Sequence, residues 1–308
     1  MSEIAVNIKK HSRIKSALNK WKSKPLYVKI ILICFFIFFC CETFTSLFPF
    51  AWVINNSLKS PEQFTINGAS ALVTDIHLEN FLRVFDPVDG FTSNDVDYFG
   101  MLSNSLWITF VYLFVNIGSS SLVAFCLAKY RFPGHNLLYG LMIFTQTIPI
   151  IGTGAAAYKL LTALGFINNP ALIWMIWCMG FDYSAFIMYG YFKGISTSYM
   201  ESARIDGASE LQIIGKIILP LAFPCILALM VTNFVGVWNN YSVVQINLRE
   251  FPNLAYGLFT YSKDILHSNN DKGMYYAALI ITALPGIILY STFQKVILTN
   301  LTVGGIKG

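Results

Sequence analysis

The chain has 308 residues, of which 55% are hydrophobic and 12% charged, with a formal net charge of +5. A soluble domain carries about 25% charged residues, so this chain lacks the polar surface of a water-soluble enzyme, a disordered chain or a coiled coil. Its mean hydropathy of +0.57 points to an all-α integral membrane protein with several spans.

Six apolar segments reach the roughly 17–25 residues that cross a bilayer: 27–54, 102–127, 137–157, 171–192, 217–238 and 274–298. Helices are expected for all six, because hydrocarbon offers no water to an open backbone group. The alternating pattern of a membrane barrel is absent. Ahead of the first span, residues 1–26 hold Lys9, Lys10, Arg13, Lys15, Lys20, Lys22 and Lys24, with Lys29 just beyond. That excess of cations assigns the N-terminus to the cytoplasm. Ile14, Ala17, Leu18 and Trp21 share one helical face among the lysines, which fits a helix lying on the inner membrane surface or a solvated basic tail. The first span is too long for a signal-peptide core of about 7–15 residues, and no small-residue cleavage site follows it. It reads as an uncleaved anchor.

The connection 55–101 is acidic, with Glu62, Asp75, Glu79, Asp86, Asp89, Asp95 and Asp97 against Lys59 and Arg83, and is expected outside. Lys129 and Arg131 follow the second span, and Lys193, Arg204 and Lys216 lie between the fourth and fifth, so both connections are expected inside. With Lys295 and Lys307 near the end, both termini come out cytoplasmic, as six spans require. The basic residues therefore read as membrane orientation and not as a nucleic-acid footprint.

Two acids fall inside spans, Glu42 in the first and Asp182 in the fourth. Each costs about 2.5–3.5 kcal/mol at the bilayer centre. They fit a pathway wall or an interhelical partner. A proton relay would make this a secondary transporter. The favoured reading is a protonated or hydrogen-bonded acid packed against a partner subunit.

Cys34, Cys40, Cys41, Cys126, Cys178 and Cys225 all lie in apolar runs and read as small buried hydrophobes, with no disulfide framework or metal spacing. His11, His77, His135 and His267 are scattered through tails and loops. No phosphate loop, zinc-protease motif or nucleophile elbow is present. Nothing assembles a nucleophile, a base and an orienting group, so the chain is expected to be no enzyme and to bind no ATP through a phosphate loop.

The most informative segment runs from Ser198 to Pro220, its loop portion being 198–216. Ser198 and Glu201 fit a capping box opening one short helix, and Ser209 and Gln212 fit another. Asp206-Gly207 marks the break between them, because glycine tolerates left-handed backbone. Met200, Ala203, Ile205, Leu211 and Ile214 supply apolar surface. A charged loop folded into a helix pair is suited to docking.

This segment resembles the E-A-A-x-x-D-G-A…I-x-L-P signature of permease subunits in binding-protein-dependent ABC importers. It reads Glu201-Ser202-Ala203, Asp206-Gly207-Ala208, then Ile217-Ile218-Leu219-Pro220, with Pro224 after it. The resemblance extends over most of the chain and is strongest to the carbohydrate subgroup, the maltose-type second permease. It is carried by Leu78-Glu79-Asn80-Phe81, Asn104-Ser105-Leu106, the turn from Ala128 to Gly134, Ile148-Pro149, Leu164 to Asn169, and the ending Gly304-Gly305-Ile306-Lys307-Gly308. Departures are Ser202 in the E-A-A triplet, Ile195-Ser196-Thr197 where a proline is usual, and Asn300 where glycine is common.

The resemblance implies an importer subunit that works by alternating access. The loop would insert into a groove on a separate ATPase subunit, present in two copies and holding ATP and magnesium. Glu201 would be the polar contact, or a cap alone. Ala203 and Ala208 would allow close approach, Gly207 the turn, and Leu219 and Pro220 the angle into the fifth span. Further implied partners are a second, different permease, an external solute-binding protein and membrane lipid. The cargo would be a sugar, most simply an oligosaccharide. Asn116, Gln146, Asn233, Trp238, Asn239 and Asn240 are the candidate pathway residues, since amides suit hydroxyls and aromatics suit ring faces. The same residue types also serve interfacial belts and helix contacts. Rival readings are a proton- or ion-coupled transporter using Glu42 and Asp182, which predicts inverted repeats, a membrane enzyme or scaffold, and an ABC importer of another solute class.

Overall fold

The computed structural model describes residues 24–87, 90–148, 152–178, 180–267 and 272–302. The surface helix expected around Ile14 to Trp21, the basic cluster from Lys9 to Lys22, Asp89, Pro149 and the tail Gly304 to Gly308 lie outside the described residues. The regular secondary structure among them is helical, apart from one isolated bridge between Ser93 and Val96. The chain divides into two units, residues 1–55 and 56–308.

The first unit is dominated by helix α1, Leu26–Ser57, which is apolar all round, as suits lipid or a neighbouring helix. Phe36, Phe38, Phe39 and Phe44 are exposed. Glu42, near the middle of α1, is exposed as well. Beside it, Thr43 and Thr45 donate to the carbonyls of Phe39 and Cys41 at 2.7 and 2.5 Å, so the helix backbone absorbs their hydroxyls.

The second unit opens with two short helices, α2 (Pro61–Asn67) and α3 (Glu79–Arg83). Lys59 is buried and donates to the carbonyls of Gly68, Ala69 and Ala71 at 3.1, 3.2 and 2.5 Å. Asn80 donates to Ser57 and Lys59 carbonyls, both at 2.9 Å. Gly273 packs so closely on these groups that a Cβ there would lie 2.4 Å from the Lys59 carbonyl oxygen.

Then follow α4 (Tyr98–Lys129), α5 (His135–Thr147), α6 (Gly154–Ala163), α7 (Pro170–Trp177) and α8 (Tyr183–Gly194). After them come α9 (Ser198–Ile205), α10 (Glu210–Ile213), a π-turn (Ile214–Ile218), α11 (Leu219–Trp238), α12 (Tyr241–Asn247), α13 (Leu254–His267) and α14 (Lys272–Thr302). Four stretches among the described residues are long and apolar enough to cross a membrane: Leu26–Ser57, Tyr98–Lys129, Glu210–Trp238 and Lys272–Lys295.

The other two expected spans are interrupted. Segment 137–157 becomes α5 and α6, and segment 171–192 becomes α7 and α8. Left-handed backbone at Gly152 (φ 87°) precedes α6, and Gly180 (φ 61°) separates α7 from α8. A Cβ at Gly180 would sit 2.9 Å from the Val123 side chain, so the break is held tightly against α4. Hydropathy averages over a window and passes across such breaks. The fifth span also starts earlier than residue 217. Helix α10 runs through the π-turn into α11, with the Leu219 N–H reaching back to the Ile214 carbonyl. Pro220 offers no N–H, and the wider turn just before it absorbs the lost hydrogen bond.

Helix α4 is the axis of this unit. Its Met101, Leu113, Ile117, Ala124 and Phe125 are buried in one cluster with Met188 and Phe192 of α8 and Ala222, Cys225 and Leu229 of α11. Ser105, Ser120, Ala124 and Ala228 are all buried at 1% exposure or less, and such small side chains let helix backbones approach closely. Cys225 is buried as expected, but Cys34, Cys40, Cys41, Cys126 and Cys178 are exposed free thiols. An apolar run in a membrane helix has lipid or a neighbouring chain as its apolar surroundings, not only its own core.

Candidate functional site

Two places collect the residues that the sequence marks out. The first is the helix pair α9–α10. Its break is a Schellman motif: Ala208 N–H bonds the Ala203 carbonyl at 2.9 Å, Gly207 N–H bonds that of Arg204 at 3.0 Å, and Gly207 has φ 83°. Ser209 and Gln212 form the expected capping box, with Gln212 N–H donating to Ser209 Oγ at 3.4 Å and Ser209 N–H to Gln212 Oε1 at 2.9 Å. The box expected at Ser198 and Glu201 is not formed. Thr197 occupies the cap position without a side-chain cap, so Glu201 sits one residue too far along to close a box. Ser198 Oγ instead pairs with Ser196 Oγ at 2.7 Å.

Met200, Ala203 and Ile213 turn inward and are buried, whereas Ile205 and Leu211, flanking the turn, are 86% and 82% exposed. Glu201, Ser202, Asp206 and Gly207 are exposed with them, and Ala208 is half-buried. Ala203 therefore packs into its own chain, while the outward surface is Glu201 with two large aliphatic side chains. Leu219 and Pro220 lie exposed where α11 begins.

A contact not anticipated from the sequence braces this turn. Arg204 donates to both carboxylate oxygens of Glu210, at 2.7 and 3.2 Å, and Tyr130 donates its hydroxyl to Glu210 at 2.5 Å. The Arg204 guanidinium and then the Tyr130 hydroxyl hold the Glu210 carboxyl below the usual carboxylate range. Burial, reinforced by that carboxylate, raises the Tyr130 phenol. Lys129 donates to the Ile195 carbonyl. The end of α4 and the turn after it are thereby tied to the end of α8 and the start of α10. Arg204 and Glu210 are six positions apart across a chain reversal, so helical spacing gives no hint of the pair.

The second place is a half-open cavity of about 880 Å³ lined from α4, α6, α7, α11 and α12. Of the six expected pathway residues, it brings together Asn233 and Asn240. Asn233 donates to the Leu229 carbonyl at 2.9 Å, and Asn240 caps α12 by accepting from Val243 N–H at 3.2 Å. The other four lie elsewhere. Trp238 is 2% exposed and donates to the Thr282 carbonyl at 3.0 Å, which makes it a bolt between α11 and α14. Asn239 bonds the Val235 carbonyl of its own helix at 3.0 Å. Asn116 is buried behind the wall, donating to the Trp177 carbonyl at 3.4 Å, and its Oδ1 accepts from no group among the described residues. Gln146 donates to the Phe181 carbonyl at 3.0 Å.

Tyr112, Trp177, Thr232 and Asn247 also line the cavity and were not singled out from the sequence. The i, i+4 spacing of Ile108 and Tyr112 on α4 was the available signal.

Asp182 has hydrogen-bond partners within its own chain. It caps α8, accepting from Ala185 N–H at 2.9 Å and from Ser120 Oγ at 2.7 Å. Together with Asn116, Thr145 and Gln146, which donate to the Trp177 and Phe181 carbonyls, it gives partners to backbone groups on either side of the break between α7 and α8.

Comparison with known proteins agrees with this architecture. Residues 116–302 match the family model described as "Binding-protein-dependent transport system inner membrane component". The arabinooligosaccharides transport system permease protein AraQ of Halalkalibacterium halodurans is 28% identical, covering 88% of this chain and 94% of its own length. The inner membrane ABC transporter permease protein YcjP of Escherichia coli is 30% identical, covering 85% and 92%. The trehalose/maltose transport system permease protein MalG of Thermococcus litoralis is 28% identical, covering 85% and 92%. Among solved structures, a chain of a bacterial ABC transporter involved in import of the acidic polysaccharide alginate superposes with a TM-score of 0.71 at 23% identity, covering 88% of this chain and 98% of that one. With a family model matched over more than half its length, and with its spanning helices, this chain is a multi-pass membrane protein that belongs to the inner membrane components of binding-protein-dependent transport systems.

Proposed function

We propose that this chain is one permease subunit of an ATP-driven importer that moves an oligosaccharide across the cytoplasmic membrane by alternating access. The observation that carries the reading is the α9–α10 turn. It holds Glu201, Ile205 and Leu211 outward on a braced scaffold, which is the form a rigid docking knob takes. In this reading the knob seats in a groove on a separate ATPase subunit, and two such subunits hold ATP and magnesium. A second, different permease completes the pathway, and an external solute-binding protein delivers the cargo. The sugar class is supported by relatives whose names include arabinooligosaccharides and trehalose/maltose.

The topology has six crossings, the third made by α5 with α6 and the fourth by α7 with α8. Both termini and the knob face the cytoplasm, and α2–α3 face outward. The charge asymmetry of the connections supports this orientation. Asn233 and Asn240, with Tyr112 and Trp177, form this subunit's share of the pathway. The proton-relay alternative loses support because Asp182 is occupied as a helix cap.

The test is saccharide-stimulated ATP hydrolysis by the assembled complex in lipid vesicles with its binding protein. Glu201→Ala combined with Leu211→Glu should abolish stimulation while the permease pair still assembles. Stimulation that survives this change, or uptake that follows a proton gradient without ATP, would overturn the reading.

A further inference from the structure

Resting on the sugar-importer reading, we propose that the cavity lined by Tyr112, Trp177, Thr232, Asn233 and Asn240 selects uncharged saccharides and rejects those bearing uronate carboxylates. The cavity, about 880 Å³, lies in the usual size range of small-molecule sites, and no Asp, Glu, Lys, Arg or His is among its lining residues. Its polar side-chain groups are amides, hydroxyls, one indole N–H and a thiol. Amides and hydroxyls both donate and accept, which matches sugar hydroxyls, themselves donors and acceptors. Tyr112 and Trp177, 5.7 Å apart between ring centroids, add apolar surface for the faces of sugar rings.

A carboxylate has different needs. Moving it out of water costs several kcal/mol unless a cation or a set of strong donors compensates. This wall supplies no cation. The nearest basic side chain in its sequence segments is Lys159 on α6, exposed and about 150° around the helix from the face of Ala157, Leu160 and Leu161 that lines the cavity. An acid, Asp182, lies near enough to the lining residue Tyr112 to act on it electrostatically, and a carboxylate there disfavours an anion. The transporter with the similar fold handles an acidic polysaccharide, but 23% identity shows the fold alone, and the chemistry of this wall points to neutral cargo.

The binding protein imposes its own selectivity, so the test omits it. The full complex in lipid nanodiscs is titrated by saturation-transfer NMR with arabinotriose, maltotriose and an alginate trisaccharide. The neutral trisaccharides are expected to bind and the alginate probe to give no transfer. A lysine in the wall, Asn233→Lys, should weaken the neutral probes about tenfold and bring the alginate probe into range, as paired charge across an interface does. Thr232→Lys, at an exposed lining position outside the Asn233 hydrogen bonds, serves as the second variant should Asn233→Lys fail to assemble. Alginate binding as tight as the neutral probes in the wild type would overturn the proposal, and so would binding of none of the three. The sugar-importer reading is judged separately, by saccharide-dependent ATP hydrolysis with the binding protein present, and it can stand when the cavity proposal falls.

Discussion

Asp182 is the position at which the two transport readings diverge most sharply. Replacing it with alanine removes the cap of α8, worth about 0.5–2 kcal/mol. It also strands the Ser120 hydroxyl, which is 0% exposed and donates to Asp182 at 2.7 Å. An unpaired buried hydroxyl costs about 1–3 kcal/mol. The total, about 1.5–5 kcal/mol, is a large share of a domain's stability. Asparagine caps as well as aspartate does and keeps an oxygen for both donors, so Asp182→Asn should fall within about 1 kcal/mol of the wild type. The assay is thermal unfolding of the purified complex together with saccharide-stimulated ATP hydrolysis. Asp182→Ala should unfold at lower temperature and lose activity in proportion to the complex lost, and Asp182→Asn should resemble the wild type in both. A stable but inactive Asp182→Asn would show that the charge itself is needed and would refute the argument that this acid is a helix cap.

Three further outcomes follow from the geometry. Gly207 has φ 83° with nothing within 4 Å of an added Cβ, so Gly207→Ala meets backbone strain alone, about 1–2 kcal/mol. Hydrogen exchange across 198–213 should rise about 5–30-fold, and less for Gly207→Asn. The Glu210 carboxyl titrates below its ordinary range in the folded loop because Arg204 and Tyr130 bond it. A depressed folded pKa means that the bracing is complete above the unfolded value, about 4.3, and is lost as pH falls through the folded one. Intrinsic-rate-corrected exchange of the loop should therefore be flat over about pH 6–8 in the wild type, and faster throughout that window in Glu210→Gln. Trp238→Phe should cost about 1 kcal/mol through the lost bond to Thr282 and leave the apparent KM for saccharide unchanged, whereas a pathway role would raise it.

Much of the fold was legible because bilayer physics writes long apolar runs into the sequence, and α1, α4, α11 and α14 each answer to one. The breaks were not legible. Gly152 and Gly180 lie inside apolar stretches, and the carbonyls flanking the Gly180 break are bonded by donors from other helices, Asn116, Thr145 and Gln146, that no local pattern connects. At the helix pair, the capping box at Ser209 and the turn at Gly207 were legible as local motifs. The false box at Ser198 shows the limit of a four-residue pattern when a neighbour, Thr197, takes the cap. Among the pathway residues, residue type was visible but direction was not. Trp238 and Asn239 follow Phe234 and Val235 around α11, and whether each faces the cavity, the core or its own backbone depends on angles that aromatic and amide identity does not encode.

The placement of the breaks suggests how the two sites are joined. From the exposed turn, the chain enters α11 without interruption, since Glu210 to Trp238 is one helical run of 29 residues, about 43 Å at the α-helical rise. Its far end carries Asn233 and, just beyond it, Asn240 at the cavity. On the other side, α8 begins at Asp182, beside the cavity wall at Cys178, and leads through Gly194 into α9. The route through α11 is therefore one helical run, and the route through α8 is a helix joined to α9 by the three-residue connection 195–197; helices transmit displacement rather than absorb it. The compliant points sit at the ends: the π-turn next to the knob, and the break at 178–182 next to the cavity. Under the proposed function, a push on the knob would move α8 and α11 as rods and be taken up at the break, where the backbone is held by side-chain donors rather than by a continuous helix ladder.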